Sequence, residues 1–514
     1  MEQNKYAHSP FSHWVSENSN CLLWGRLVFA STFSLQFLSV SYMIKLGRMR
    51  KNEVNSPMKL NELFSAKDMT LGSPWKRILE FSIPMLLGNF AQQLYNTADT
   101  VIVGKYVGDL ALSAVGSSMP ILNLLLALFV GVSTGAGIVV SQRFGAKDRE
   151  GLSVAVGNCI TLSAIATLVI MIIGPMITRP MLTMLKTPDS IIDWCTQYLQ
   201  IYFFGIVGFF FYNMLSGILR GLGDSVTALG FLLVSAALNV VLDLLLVKEM
   251  GVAGVSLATA IAQAISAVLC YLKLRSMADI FDMRIKYVKL RKDVAMRILT
   301  LGLPSGITQA IMASAGMVVM NLTNQMGEMV VACNVVVMRV DGFAMLPNMT
   351  FGQAMSVYTG QNVGAGKYDR VHKGVKQGTM IGLIFSATIT AVLLLFGRYL
   401  FDIFTDTPAL IDLANRMIRL MAVGYICISV TQVLGGVMRG AGDTTTPMWV
   451  SMISTILIRV PVAYGLAYLT RTPEFPHGQP IALFSSLMIS WTLGMVISVI
   501  VFSVGKWKKK MILQ

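Results

Sequence analysis

The chain has 514 residues, is 54% hydrophobic and only 13% charged, and carries a formal net charge of +15. Soluble domains usually hold about 25% charged residues, so a chain this long and this apolar cannot hide its hydrophobic residues in one aqueous core. It needs lipid as solvent, and its apolar windows of about 20 residues point to spanning helices, not to the alternating ten-residue segments of an outer-membrane barrel.

Residues 1–57 are polar and rich in Ser and Asn around one apolar stretch, Cys21 to Ile44, which contains Arg26. They are expected to form an extension outside the core fold, with an extra helix or a signal-like anchor as the other readings. Beyond them, six apolar spans are predicted at 78–98, 112–137, 153–177, 196–219, 226–247 and 251–272. Six more follow at 296–320, 330–356, 376–397, 414–437, 447–469 and 481–504. The expected fold is an all-α integral membrane protein of twelve transmembrane helices in two six-helix lobes, 58–283 and 284–514.

Most Lys and Arg fall on one side: before the first span, in the loops after even-numbered spans, and in the last residues. Lys273 to Arg297 and Lys506 to Lys510 are the densest runs. This bias predicts both core termini on the cytoplasmic face of the cell membrane, and it accounts for the positive charge without nucleic acid. The six cysteines form no CxxC pair and read as small hydrophobes.

Three motifs recur in order at one spacing. Ile78-Leu-Glu-Phe-Ser-Ile-Pro84 returns as Ile298-Leu-Thr-Leu-Gly-Leu-Pro304, and Gln142-Arg-Phe-Gly-Ala146 as Gln361-Asn-Val-Gly-Ala365. Gly217-Ile-Leu-Arg-Gly-Leu-Gly-Asp224 returns as Gly436-Val-Met-Arg-Gly-Ala-Gly-Asp443. Such a repeat of six spans marks a duplication with parallel topology. In its turns, Gly221 and Gly223 suit positive φ, and Asp224 suits a helix cap; Arg220 caps the preceding carboxyl end or meets lipid phosphate. Arg439, Gly440, Gly442 and Asp443 are the second copy.

No GxxxxGK[ST] loop, HExxH or GxSxG motif occurs, and the four histidines lie outside the spans. ATP hydrolysis, metal catalysis and serine-hydrolase chemistry lack their residues, and no cofactor is expected. What remains is polar residues inside spans, which are costly in lipid and are therefore functional candidates. Gln92, Tyr95 and Asp99 share one face of the first span, with Pro84 lower in the same helix as a possible bend. Asp243 and Asn239 lie one turn apart in span five; Asn213 and Thr259 lie in spans four and six. If these faces converge, two carboxylates in one low-dielectric pocket favour holding a proton, with sodium coordination as the alternative. Asp99 is either part of that cluster or solvated at the outer mouth. Asp341 in span eight has Arg339 two residues before it, and the two either neutralise each other or take part in coupling. Arg459 in span eleven has the same ambiguity.

Leu94-Tyr-Asn-Thr-Ala-Asp-Thr-Val-Ile-Val-Gly104 and the two Arg-Gly-x-Gly-Asp turns resemble bacterial MATE proteins (multidrug and toxic compound extrusion), from about Met69 to Trp507. The resemblance implies a two-lobe antiporter, driven by H⁺ or Na⁺, that exports bulky and often cationic organic compounds as a monomer in lipid. It implies a cation site in the first lobe at Asp99, Asn239 and Asp243, with Gln92 and Tyr95 on the matching face. Asp341 stands where many members carry an acid in helix eight, while helix seven lacks the acid that some sodium-coupled members have. A lipid-linked oligosaccharide flippase is the alternative, supported by Arg339 and Arg459. The acids are not duplicated. Tyr95 and Asp99 map onto Ala315 and Val319, and Asn239 and Asp243 onto Ile458 and Val462.

Overall fold

The computed structural model describes residues 66–512, except Gly108, Lys186 and the side chains at 95–96, 98–101, 103–105, 109–112 and 512. The extension at 1–57 lies outside the described residues. The first half holds α1 (Pro74–Tyr106), α2 (Asp109–Gly145), α3 (Arg149–Met184), α4 (Asp189–Gly221), α5 (Ser225–Met250) and α6 (Val252–Ser276). The second holds α7 (Lys292–Gln325), α8 (Glu328–Gly364), α9 (Tyr368–Asp402), α10 (Pro408–Gly440), α11 (Thr445–Leu469) and α12 (Ile481–Val504), followed by the short α13 (Lys506–Ile512).

Every predicted span corresponds to one of these helices, the sixth beginning one residue early at Gly251 and the last coinciding with α12, and the other helices run longer. At 1.5 Å per residue, the 37 residues of α2 reach about 55 Å, well beyond a hydrocarbon core of about 30 Å. The apolar window marks only the lipid-embedded part. Among the described residues, α2 to α12 are each long and apolar enough to cross a membrane. Helix α1 is as long but more polar, with Asn89, Gln92, Gln93, Asn96 and Asp99. Helix α11 is interrupted by a π-helical stretch, Ile453–Ile458, just before Pro461, which has no N–H to offer the carbonyl of Leu457.

The duplication is visible in the packing. In the first half α2 packs on α3 and α4, α4 on α3 and α6, and α5 on α1 and α6; every one of these pairs recurs in the second half with its numbers raised by six. The contacts between halves obey the same operation. Pair α2–α7 exchanges with α8–α1, pair α3–α7 with α9–α1, and α2–α8 maps onto itself. An approximate two-fold axis therefore runs between the halves.

The first helix of each half begins in the other half. Ile78, Phe81 and Met85 of α1 are buried with Phe351, Met355 and Val433 of α8 and α10. Ile298 and Leu301 of α7 are buried with Ala136, Val139 and Ile218 of α2 and α4. Further along, Gly88 of α1 faces Leu229 and Leu232 of α5, and Val319 and Leu322 of α7 join their own half's core. Pro84 and Pro304 lie near these crossovers, inside otherwise continuous helices. The α2–α7 seam is backbone on backbone: Gly131 and Gly135 oppose Gly302 and Gly306, and a Cβ at Gly135 would meet the carbonyl of Ile298 and the backbone of Gly302. The equivalent α1–α8 seam carries a polar side-chain pair, with Asn89 Nδ2 donating to Thr350 Oγ1 at 2.9 Å.

At the end rich in Lys and Arg, called the basic end below, two glutamines bridge the halves reciprocally. Gln142 Nε2 donates to Gly440 O at 2.9 Å, and its repeat mate Gln361 Nε2 donates to Gly221 O at 3.1 Å. Gln142 Oε1 accepts from Arg297 Nη2 at 3.1 Å, and Gln361 Oε1 accepts from Met69 N at 2.8 Å. The segment leading into α1 is held further by Arg370, which donates to the carbonyls of Met69, Leu71 and Gly72.

Candidate functional site

Helix α5 buries Asn239 and Asp243 completely, one turn apart on the face turned inward. Buried polar groups need partners, and Asn239 Nδ2 finds one in Thr259 Oγ1 of α6, at 3.2 Å. The Thr259 hydroxyl donates in turn to Val255 O at 3.1 Å. Thr259 also lines a cavity of about 550 Å³ between α1, α2, α4, α6, α8 and the end of α10. That volume suits a drug-sized organic molecule. Thr259 thus connects the buried Asn239 pair to the open space.

Gln92 and Asn213 line the same cavity, with Asn123, Gln263 and Arg339. Asn213 Nδ2 donates to Phe209 O at 2.9 Å, and the main-chain carbonyl of Asn213 accepts from Ser133 Oγ at 2.7 Å. The backbones of Tyr95 and Asp99 lie in α1, which packs along α5; their side chains lie outside the described residues. The structure therefore gathers Asn239, Asp243 and Thr259, sets Gln92 and Asn213 at the adjoining cavity, and describes one of the two expected carboxylates.

The repeated turns have their own geometry. Gly223 and Gly442 take φ of +86° and +91°, which side chains disfavour. Asp224 accepts from Thr227 N at 3.0 Å and Thr227 Oγ1 at 2.7 Å. Asp443 accepts from Thr446 Oγ1 at 2.6 Å and from Lys510 Nζ at 2.8 Å. Burial pushes the Asp443 carboxyl up, but its bonds to Lys510 and Thr446 outweigh this and hold it below the usual carboxylate value. Gly221 and Gly440 depart from the expectation of positive φ. They are the last helical residues of α4 and α10, and they are small because α2 and α8 pass so close: a Cβ on Gly221 would lie 2.8 Å from Gly137 O.

Arg220 and Arg439 differ from the expectation of a helix cap: among the described residues no hydrogen bond runs from either guanidinium to a carbonyl at its helix end, and both line the central cavity. Arg220 Nη1 donates to Ser216 Oγ at 2.8 Å, one turn back on α4. At the matching place in α10 stands Gly435, and the Arg439 guanidinium lies over it and over Gly352. Sequence reasoning saw these arginines as turn residues because helix ends usually face water or headgroups; which face of α4 and α10 lines the cavity depends on how the helices pack, which one chain's motifs do not show.

In the second half, Asp341 Oδ1 accepts from Tyr425 OH at 2.8 Å, and Arg459 of α11 is the cation that acts on it electrostatically. Arg339 is not its partner, since residues two apart on a helix point to different sides; Arg339 lines the cavity instead. Tyr425 is fully buried and Asp341 half-buried, so Tyr425→Phe removes the donor to a partly desolvated carboxylate. A hydrogen bond to a charged group contributes about 1.5–3 kcal/mol, and the variant should show a lowered melting temperature in detergent. An unchanged melting temperature would show that the bond adds nothing to the second half's packing.

The MatE family model matches this chain twice, at residues 84–245 and 304–465, once in each half. YpnP, a probable multidrug resistance protein of Bacillus subtilis (strain 168), is 30% identical over 77% of this chain and 89% of its own. YoeA, a probable multidrug resistance protein of the same strain, is 26% identical over 86% of this chain and 96% of its own. A solved structure of a multidrug resistance MATE family transporter in an outward-facing conformation overlays with a TM-score of 0.79 at 24% identity, covering 87% of this chain and 99% of that one. With a family match in each half and relatives alike along most of its length, the chain belongs to the MatE family and is a multi-pass membrane transporter, a secondary carrier and not an enzyme.

Proposed function

We propose that this protein is an antiporter of the cell membrane that exports drug-like organic compounds in exchange for H⁺ or Na⁺. It acts as a monomer, with its basic end in the cytoplasm. The observation that carries the reading is the chain from Asp243 through Asn239 to Thr259. A fully buried carboxylate sits one turn from an amide that is bonded to a residue of the cavity wall. An ion bound at the carboxylate would alter the same wall that meets substrate, which is what exchange requires. Pro84, where α1 passes from the second half toward the first, is the place where bending of α1 would transmit the change. The relatives named for multidrug resistance support an organic substrate. The flippase alternative keeps Arg339 at the cavity but loses Arg459, which is half-buried, acts on Asp341 electrostatically and is not among the cavity's lining residues.

Efflux of a fluorescent substrate from proteoliposomes, with pH and sodium gradients imposed separately, tests the reading. One gradient should drive efflux, and Asp243→Asn should reduce the driven rate at least tenfold, about 1.4 kcal/mol or more of lost coupling. Full gradient-driven efflux by Asp243→Asn would remove this carboxylate from the ion site.

A further inference from the structure

We propose that the cavity holds its substrate by an anionic group, a phosphate, sulfonate or carboxylate, seated between Arg220 and Arg439. This rests on the exporter reading only in taking the cavity as the transport path. Three guanidiniums, of Arg220, Arg339 and Arg439, line the cavity, and among the described residues no Asp or Glu does. Four described carboxylates lie off the lining: Asp224 is bonded to Thr227, Asp443 to Lys510 and Thr446, Asp341 to Tyr425, and Asp243 is buried in α5, behind the wall at Thr259. Arg220 has Ser216. Among the described residues no hydrogen bond or ion pair engages the guanidinium of Arg339 or Arg439.

A guanidinium offers five N–H donors in a planar fork that matches carboxylate and phosphate oxygens. A cation in a partly desolvated wall without a counter-charge is unfavourable, so an anion is the ligand that gains most by entering. The room for it is built in. A Cβ on Gly435 would lie 3.3 Å from Arg439 Nη1, and one on Gly352 would lie 3.4 Å from Nη2. The repeat mates of these glycines are Ser216 and Ser133, and Ser216 is what ties down Arg220. The duplication has thus left one arginine held and its mate open. Because they come from opposite halves, an anion bridging them joins α4 to α10 beside the closed basic end. Met119 and Leu122 on the same cavity's wall suit the apolar body of an amphiphile with its charged head at the arginines.

The test uses the full chain in phosphatidylcholine nanodiscs and two fluorescent amphiphiles, an anilinonaphthalene sulfonate and ethidium, read against empty nanodiscs. The sulfonate should bind more tightly than ethidium. Arg439→Gln and Arg220→Gln should each weaken it about tenfold or more, Arg439→Lys should restore part of it, and ethidium should not respond. Arg339→Gln, at an exposed position where folding is not at stake, should weaken the sulfonate about threefold. Sulfonate binding that all three Gln variants leave unchanged, or tighter binding of ethidium, overturns the proposal. Phosphatidylglycerol nanodiscs separate the sources: sulfonate displaced there, but not in phosphatidylcholine, assigns the site to a lipid headgroup, and sulfonate retained in both assigns it to a soluble substrate. Arginine-dependent sulfonate binding without gradient-driven efflux of any dye would refute the exporter reading and leave the anion site standing. Efflux of ethidium with arginine-independent binding would do the reverse.

Discussion

Valine at Gly145 or at Gly364 is expected to cut transport at least tenfold in a protein that still inserts and folds. The two glycines are repeat mates at the ends of α2 and α8, where those helices meet across the two-fold axis. A Cβ at Gly145 would land on the backbone carbonyl of Gln361, and one at Gly364 on that of Gln142. Neither obstacle is a side chain that can swing aside, so the halves must move apart. Overpacking of a tight contact costs typically 1–3 kcal/mol, and each 1.4 kcal/mol is tenfold in population. The form closed at the basic end would lose that share, while each half's own core keeps its contacts. Efflux from vesicles should fall, and a cysteine introduced at the fully buried Ser141, beneath this contact, should react faster with maleimide added at the basic end. Alanine should give an intermediate effect. Valine variants that transport normally and label slowly would mean that this contact is not part of the working cycle.

These same motifs show how far sequence reading reaches. Gln142-Arg-Phe-Gly and Gln361-Asn-Val-Gly were legible as copies, because a fixed spacing is visible in one chain. That the copies touch each other was not legible. Equivalence in a repeat says which residues correspond, and the two-fold docking of the halves decides which meet. The spans were legible because lipid demands a fixed apolar length. The crossing of α1 and α7 into opposite halves was hidden, since an apolar face does not name the helix that covers it. Asn239 and Asp243 could be placed on one face from their spacing alone, whereas the bond to Thr259 depends on how α5 packs on α6. The asymmetry of Ser216 and Gly435, each one turn before an arginine, stands in the sequence. It gained meaning only when both arginines proved to face one cavity.

Removing both bridging glutamines should unlatch the basic end without changing its shape. Gln142 and Gln361 are nearly or fully buried, and each makes two hydrogen bonds to the other half, through the Gly440 and Gly221 carbonyls, Arg297 and the Met69 amide. A neutral hydrogen bond contributes about 0.5–1.5 kcal/mol net, and one with a charged donor more. Gln142→Ala and Gln361→Ala should each weaken closure by about 1–3 kcal/mol, and the double variant by roughly the sum, because all four bonds act on one equilibrium between closed and open. Glutamate distinguishes the mates. It keeps the size of the side chain and the accepting oxygen but loses the donor. At 142 the new charge faces the Arg297 guanidinium, which offsets much of the repulsion from the Gly440 carbonyl. At 361 the partner is the neutral amide of Met69, and the charge near Gly221 O has no such compensation. Gln361→Glu should therefore label at the basic end distinctly faster than Gln142→Glu, by about tenfold for a difference of 1.4 kcal/mol. Equal rates for the two glutamate variants would show that Arg297 does not reach Gln142 in the closed state, and that the reciprocal pair is not electrostatically asymmetric.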